Sequence, residues 1–150
     1  MSCAINVPSD NFPPALMSTE RKTMNIEYVN SKSVHDSKTG YSQAVVVYDC
    51  KRTIYVSGQI PTRPDGTVPD TFVKQAEQVW ANVEAQLRQA GLGLGNIARH
   101  TTYLSDRKYR AENSEVRRKV LGEYQPALTV IIAGIFDEDW LLEVEVVAVQ

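Results

Sequence analysis

Apolar residues recur at helical spacing between residues 72 and 87: Phe72, Val73, Ala76, Val79, Trp80, Val83 and Leu87. That period predicts an amphipathic helix of about five turns. Asp70 stands where an N-cap belongs, and Gly91 where a left-handed C′ residue belongs. A weaker helical pattern covers roughly 107–121, with Tyr109, Val116, Val120 and Leu121 on its apolar side. Asn113 lies four residues after Tyr109 and three before Val116, so it shares that side. An asparagine there is either a structural hydrogen-bonder or a site residue. Between and around the helices the pattern turns β-like at 25–29, 43–48, 53–60, 100–104, 129–136 and 141–149. Asp49-Cys50-Lys51-Arg52 reads as a four-residue hairpin loop, and Pro64-Asp65-Gly66 as a turn.

The last segment, Leu141-Leu142-Glu143-Val144-Glu145-Val146-Val147-Ala148-Val149, alternates with period two. Leu142, Val144 and Val146 fall on one face, and Glu143, Glu145 and Val147 on the other. Two carboxylates on one face of a largely apolar strand require either solvent or a partner, because an unpaired buried carboxylate costs several kcal/mol. They read as a rim strand or as a general acid/base in a pocket.

The element order ββ(β)–α–β–α–ββ predicts an α+β layer: a single mixed β-sheet with two helices on one face. Strands such as Val45-Val46-Val47 and 129–135 are apolar on both sides. No helices remain to cover the second sheet face, so a second subunit is its natural cover and a homo-oligomer is expected.

Composition narrows the classes. At 150 residues and 16.8 kDa the chain suits one domain. The polar, proline-bearing stretch 1–22 reads as a flexible tail, with a single domain over 23–150. Met17 and Met24 leave the natural start open. A net charge of −2 gives no general pull toward nucleic acid or an anionic membrane. No apolar run approaches a membrane span, and no secretory signal is expected. Cys3 and Cys50 have no metal-binding spacing and suit a reducing cytosol, so a cytoplasmic location is expected. His35 and His100 are too isolated to suggest a metal, and no cofactor is implied. The one basic concentration, Arg107-Lys108-Tyr109-Arg110 with Arg117-Arg118-Lys119, is mixed with Glu112 and Glu115. It lacks an aromatic stacking platform and reads as a solvated helix face rather than an RNA site.

Four segments occur in a telling order: Thr39-Gly40-Tyr41-Ser42-Gln43-Ala44, Val56-Ser57-Gly58-Gln59-Ile60-Pro61, Gln125-Pro126-Ala127 and Leu142-Glu143-Val144-Glu145. Together they resemble the Rid (YjgF) family, the reactive-intermediate deaminases once labelled L-PSP endoribonucleases. The resemblance runs from about Tyr41 to the C-terminus. It implies a YjgF/chorismate-mutase-like fold, a homotrimer with a central barrel of sheets, and three pockets between subunits. It implies Glu143 as the catalytic residue, orienting a water that attacks an imine carbon. Tyr41, Ser57, Gly58, Asn113 and the residue at 128 would bind the substrate. One carboxylate can pass the proton from water to the departing nitrogen.

The pattern is broken at one position. Deaminating members carry Pro-Ala-Arg where this chain has Pro126-Ala127-Leu128. Arginine grips a carboxylate bidentately, each charge-assisted bond being worth about 1.5–3 kcal/mol, whereas leucine offers no donor. Binding of an ordinary 2-imino acid is therefore expected to be lost or much weakened. Arg63 is either a solvated loop residue or an anion anchor from a new direction. Two classes stay open: a hydrolase acting on the C–N bond of an imine, enamine or related small metabolite, and a non-catalytic trimeric protein that binds a small ligand in the same pocket.

Overall fold

Residues 26–35 and 40–150 are described by the computed structural model. The proposed tail at 1–22, and the question of the starting methionine, lie outside the described residues. The chain runs β1 (Ile26–Val29), β2 (Ala44–Val47), β3 (Thr53–Gln59), α1 (Phe72–Gln89), β4 (Ile97–Leu104), α2 (Arg110–Leu121), β5 (Ala127–Ile132) and β6 (Leu142–Val149). This is the α+β order expected from the hydrophobic pattern.

Strand pairing departs from the expected hairpin. β2 does not pair with β3; it pairs antiparallel with β1, Val45 opposite Tyr28. The 49–52 segment turns toward the C-terminus instead, where the Arg52 amide donates to the Gln150 carbonyl at 3.0 Å. β3 then pairs with β6, giving a mixed four-stranded sheet of order β3-β6-β4-β5. β4 and β5 are parallel, and β4 and β6 antiparallel. The expected single sheet is thus a four-stranded sheet plus a two-stranded ribbon, tied to the β5 edge by one bridge between Ser42 and Ala127.

α1 lies on the sheet face formed by Leu142, Val144, Val146 and Ala148 of β6, all fully buried. Its own contribution is Phe72, Ala76, Val79, Trp80, Val83 and Leu87. Burying each large side chain there contributes about 1.5–3 kcal/mol. Val73 was expected on this stripe but is exposed, and Gln75 is buried in its place. Gln75 is tolerated because its amide is fully used. It donates to the Pro69 and Asp139 carbonyls at 3.0 and 2.9 Å and accepts from the Leu141 amide at 2.9 Å. The same side chain therefore anchors the chain just before β6. Asn82 does the equivalent after β3, donating to the Ile60 and Thr62 carbonyls at 2.8 and 3.1 Å.

The helix ends follow local chemistry. Gly91 takes φ +76° and closes a Schellman motif, with the Leu92 amide on the Leu87 carbonyl at 2.8 Å and the Gly91 amide on that of Arg88 at 2.9 Å. At the other end the N-cap is Thr71 and not Asp70. Thr71 has extended backbone angles, and its hydroxyl accepts from the Lys74 amide at 3.5 Å. Thr71→Ala is accordingly expected to lower stability by about 0.5–1 kcal/mol in urea unfolding, with Asp70→Ala nearly silent. The reverse order would restore Asp70 as the cap.

The second helical segment opens with a 3₁₀ turn, Arg107–Tyr109, before α2 proper. Asp106 caps that turn through a 2.8 Å bond from the Lys108 amide. Tyr109 stacks on Phe72 with ring centroids 4.5 Å apart, joining α2 to α1. Among the described residues no helix covers the opposite face of the sheet. There Tyr55 is 79% exposed, and Ile131 of the edge strand is also exposed.

Candidate functional site

The register places the expected site residues on two faces of the sheet. Glu143 pairs with Tyr103 of β4 and shares the helix-free face with Glu145 and Val147. Leu128 pairs with His100 of β4, whose ring packs edge-on to Trp80 of α1 at 5.3 Å. Leu128 therefore belongs to the helix side. Since β4 separates β5 from β6, Leu128 and Glu143 do not meet within one protomer. The six residues divide into two trios.

The first trio is Ser57, Gly58 and Glu143. β3 shifts register against β6 between Val56 and Gln59, which swings the Ser57-Gly58 backbone out of regular pairing. The Glu143 carboxyl lies directly over Gly58. A Cβ at Gly58 would fall on Glu143 Oε1, 2.6 Å from its Cδ and 3.0 Å from its Cγ. Any side chain at position 58 would therefore displace the carboxyl from this position. Ser57 lines a cavity of about 320 Å³ on the helix-free face, with Tyr55, Arg99 and Glu145 among its walls.

The second trio is Tyr41, Asn113 and Leu128, which line one cavity of about 590 Å³ on the helix side of β5. Leu128, Val130 and Ile132, alternate residues of β5, form an apolar wall. α2 supplies the facing wall through Arg110, Asn113, Ser114 and Arg117, which recur at i, i+3, i+4 and i+7. Asn113 is 3% exposed and makes no side-chain hydrogen bond among the described residues, so its amide is available to an occupant.

Arg117 corrects the expectation of a solvated basic face. It is 3% exposed, and its guanidinium sits 5.9 Å from the Tyr41 ring centroid, the distance of a cation–π contact. Burial, reinforced by the charge of Arg118, holds its pKa below the usual arginine value. The i+4 relation between Asn113 and Arg117 could have exposed this arginine in the sequence, since both share one helix face. Arg63, the other arginine weighed from sequence, lines neither cavity; it bonds Thr67 within its own loop at 3.0 Å.

His100 is a buried titratable group on the helix side of the sheet. It is 1% exposed, and neither ring nitrogen has a hydrogen-bond partner among the described residues. Burial, with a smaller contribution from the Arg117 charge, pushes its pKa down to about 3. It is neutral at physiological pH. Among the described residues no cluster of three or more His, Cys, Asp or Glu side chains could hold a metal ion. Likewise no described helix is long and apolar enough to cross a membrane.

Comparison with known proteins identifies the family and the fold. Residues 32–150 match the family described as endoribonuclease L-PSP. Protein MMF1 of Saccharomyces cerevisiae, described as mitochondrial, is 33% identical over 123 residues, covering 81% of this chain and 83% of that protein. A 2-iminobutanoate/2-iminopropanoate deaminase of Capra hircus is 31% identical over 112 residues, covering 73% of this chain and 80% of the other. In three dimensions the chain resembles the crystal structure of YyfB, a Rid family protein of Yersinia pestis described as of unknown function. That match has a TM-score of 0.75, 24% identity, and coverage of 85% of this chain and all of that one, and it speaks to the fold. The chain belongs to the endoribonuclease L-PSP family, whose members include the Rid (YjgF) proteins.

Proposed function

We propose that this protein hydrolyses the C–N bond of an imine, enamine or related small metabolite at a pocket between subunits of a homotrimer, with Glu143 as the acid/base. The deaminase named among its relatives supports the reaction class. The observation that carries the reading is the division of the site residues into two trios. Glu143 with Ser57 and Gly58 on one face, and Asn113 with Tyr41 and Leu128 on the other, make one site only when faces of two protomers meet. The apolar side chains left exposed on the helix-free face and on the β5 edge supply the contact area.

In the reaction Glu143 accepts a proton from water as the oxygen attacks the imine carbon. The carboxylic acid then returns that proton to the nitrogen. Glu143 next takes the hydroxyl proton of the tetrahedral carbinolamine and passes it to the amino nitrogen, so that the C–N bond breaks, ammonia leaves and the oxygen forms the carbonyl. Water enters and ammonia leaves, so no cofactor is consumed. Ser57 and the backbone at Gly58 are placed to hold water or substrate beside the carboxylate. Leu128 gives no donor to a substrate carboxylate, so small 2-imino acids are expected to be poor substrates. Leu128 is also what favours a second reading, a trimeric ligand-binding protein without turnover.

Two measurements decide. Sedimentation equilibrium is expected to give about three times 16.8 kDa, and a stable monomer at micromolar concentration would refute the shared pocket. Imines generated in situ by an amino-acid oxidase from a panel of amino acids are then followed by ammonia release. Wild-type protein should accelerate release for a subset, and Glu143→Gln should remove that acceleration while the trimer persists. No acceleration for any imine or enamine would favour the binding protein. Dissociation or unfolding of Glu143→Gln would make Glu143 a structural residue.

A further inference from the structure

The helix-side cavity carries three arginines where the sequence pattern of its family would place one on β5. Arg117 lines it from α2, and Arg107 and Arg110 stand at its exposed rim. Among the described residues no aspartate or glutamate lines the cavity. Arg107 and Arg110 make no ion pair or side-chain hydrogen bond among the described residues. The Asn113 amide, buried and open to the cavity, lies between them and Arg117 on the same helix face.

The positive charges are spread along the cavity. β4 and β5 are parallel, so α2, which connects them, runs back antiparallel to β5. Arg117 therefore lies toward Leu128. The Tyr41 ring beside Arg117 confirms that end, because its neighbour Ser42 bridges to Ala127. Arg107, three residues after Leu104, lies toward Ile132, the residue paired with Leu104. Along α2 the step from Arg110 to Arg117 is about 10 Å at 1.5 Å per residue. Between the two ends runs the apolar wall of Leu128, Val130 and Ile132.

We propose that α2 provides a relocated anion seat, and that the ligand is an elongated dianion with an acidic group at each end of an unbranched apolar chain. Arg117 with Tyr41 holds one end, Arg107 and Arg110 hold the other, and the β5 wall receives the methylenes. A guanidinium is suited to this because it presents a fixed fork of donors to a carboxylate or phosphate oxygen pair. A small monoanion fits poorly, as it satisfies one end and leaves the apolar wall wet. The inference rests on reading this cavity as part of the substrate site, and it names the substrate class for that site.

Calorimetric titration tests it, with 2-oxoadipate and 2-oxopimelate as dianions, 2-oxohexanoate and 2-oxoheptanoate as monoanions of matching length, and inorganic phosphate as a compact anion. The dianions are expected to bind about tenfold or more tightly than their matched monoanions, less so as salt rises. Arg107→Leu and Arg110→Leu should each shrink that preference and together abolish it, whereas Arg63→Leu should leave it intact. Arg117→Lys, which keeps the buried charge without the fork, should weaken all the oxo acids alike. Equal binding of dianion and monoanion, a preference that survives the Arg107/Arg110 double variant, or phosphate binding as tightly as the dianions would each overturn the proposal. Glu143→Gln separates the two readings, since it should keep the preference for dianion over matched monoanion while losing turnover. Intact dianion preference with no turnover of any imine would refute the hydrolase and leave the seat standing. Turnover without anion preference would do the opposite.

Discussion

Gly58→Ala is expected to cut turnover by about two orders of magnitude while the subunit still folds. The added methyl would occupy the space of Glu143 Oε1 and lie 2.6 Å from its Cδ, so the carboxyl must move. The obstacle is the end of a flexible side chain, and Gly58 does not have a positive φ, so the backbone has no reason to refuse alanine. Stability should change by less than about 1 kcal/mol for that reason. Displacing a general acid/base by about 1 Å is sufficient for a loss near 100-fold. The measurement is ammonia release per subunit beside circular dichroism and sedimentation, with Gly134→Ala as the neutral comparison because nothing lies within 4 Å of its Cβ. Full turnover in Gly58→Ala would mean that the carboxylate position seen over Gly58 is not the one used in the reaction.

Acid should destabilise this protein well before its carboxylates protonate, and His100 should be the cause. Its folded pKa of about 3 lies below the ordinary 6.5, because the ring is buried against Trp80 without a hydrogen-bond partner and near Arg117. The unfolded chain therefore binds a proton that the folded chain refuses. Stability from keeping His100 neutral is fully present above pH 6.5 and is lost as pH falls toward 3. Within that window the slope approaches 1.4 kcal/mol per pH unit, or about 2 kcal/mol at pH 5. Urea unfolding at pH 7 and pH 5, at fixed protein concentration, reads this directly. His100→Phe keeps an aromatic ring against Trp80 and should remove most of the pH dependence. If the variant loses stability with acid as steeply as wild type, the burial of His100 is not what makes the fold acid-sensitive.

The hydrophobic pattern by itself determined the element order. Seven of the eight segments lie within three residues of the observed ones, since a five-turn amphipathic stripe and period-two strands are local signals. The exception is 129–136, which is observed as Ala127–Ile132, and 100–104 lacks its first three residues because Ile97, Ala98 and Arg99 break the alternation before it. Face pattern alone singled out Asn113 and the pair Glu143 and Glu145, and only the family resemblance chose Glu143 between the two carboxylates. It misplaced the N-cap by one residue, as Asp70 and Thr71 are both competent caps and only backbone angles choose between them.

Pairing was decided by tertiary structure. The Asp49–Arg52 loop looks like a hairpin turn, yet β3 turns to the buried β6 and leaves β2 to β1, because the more apolar partner strand wins the central position. Arg117 shows the same limit. Within Arg117-Arg118-Lys119 the three cations are equivalent as letters, and only the helix phase against Tyr41 and β5 buries one while Arg118 and Lys119 stay in water. The separation of Leu128 from Glu143 onto opposite faces required the register of β4 with both neighbours. Side-chain direction alternates along each strand, so a list of site residues becomes a site only once strand order and register say which faces they share.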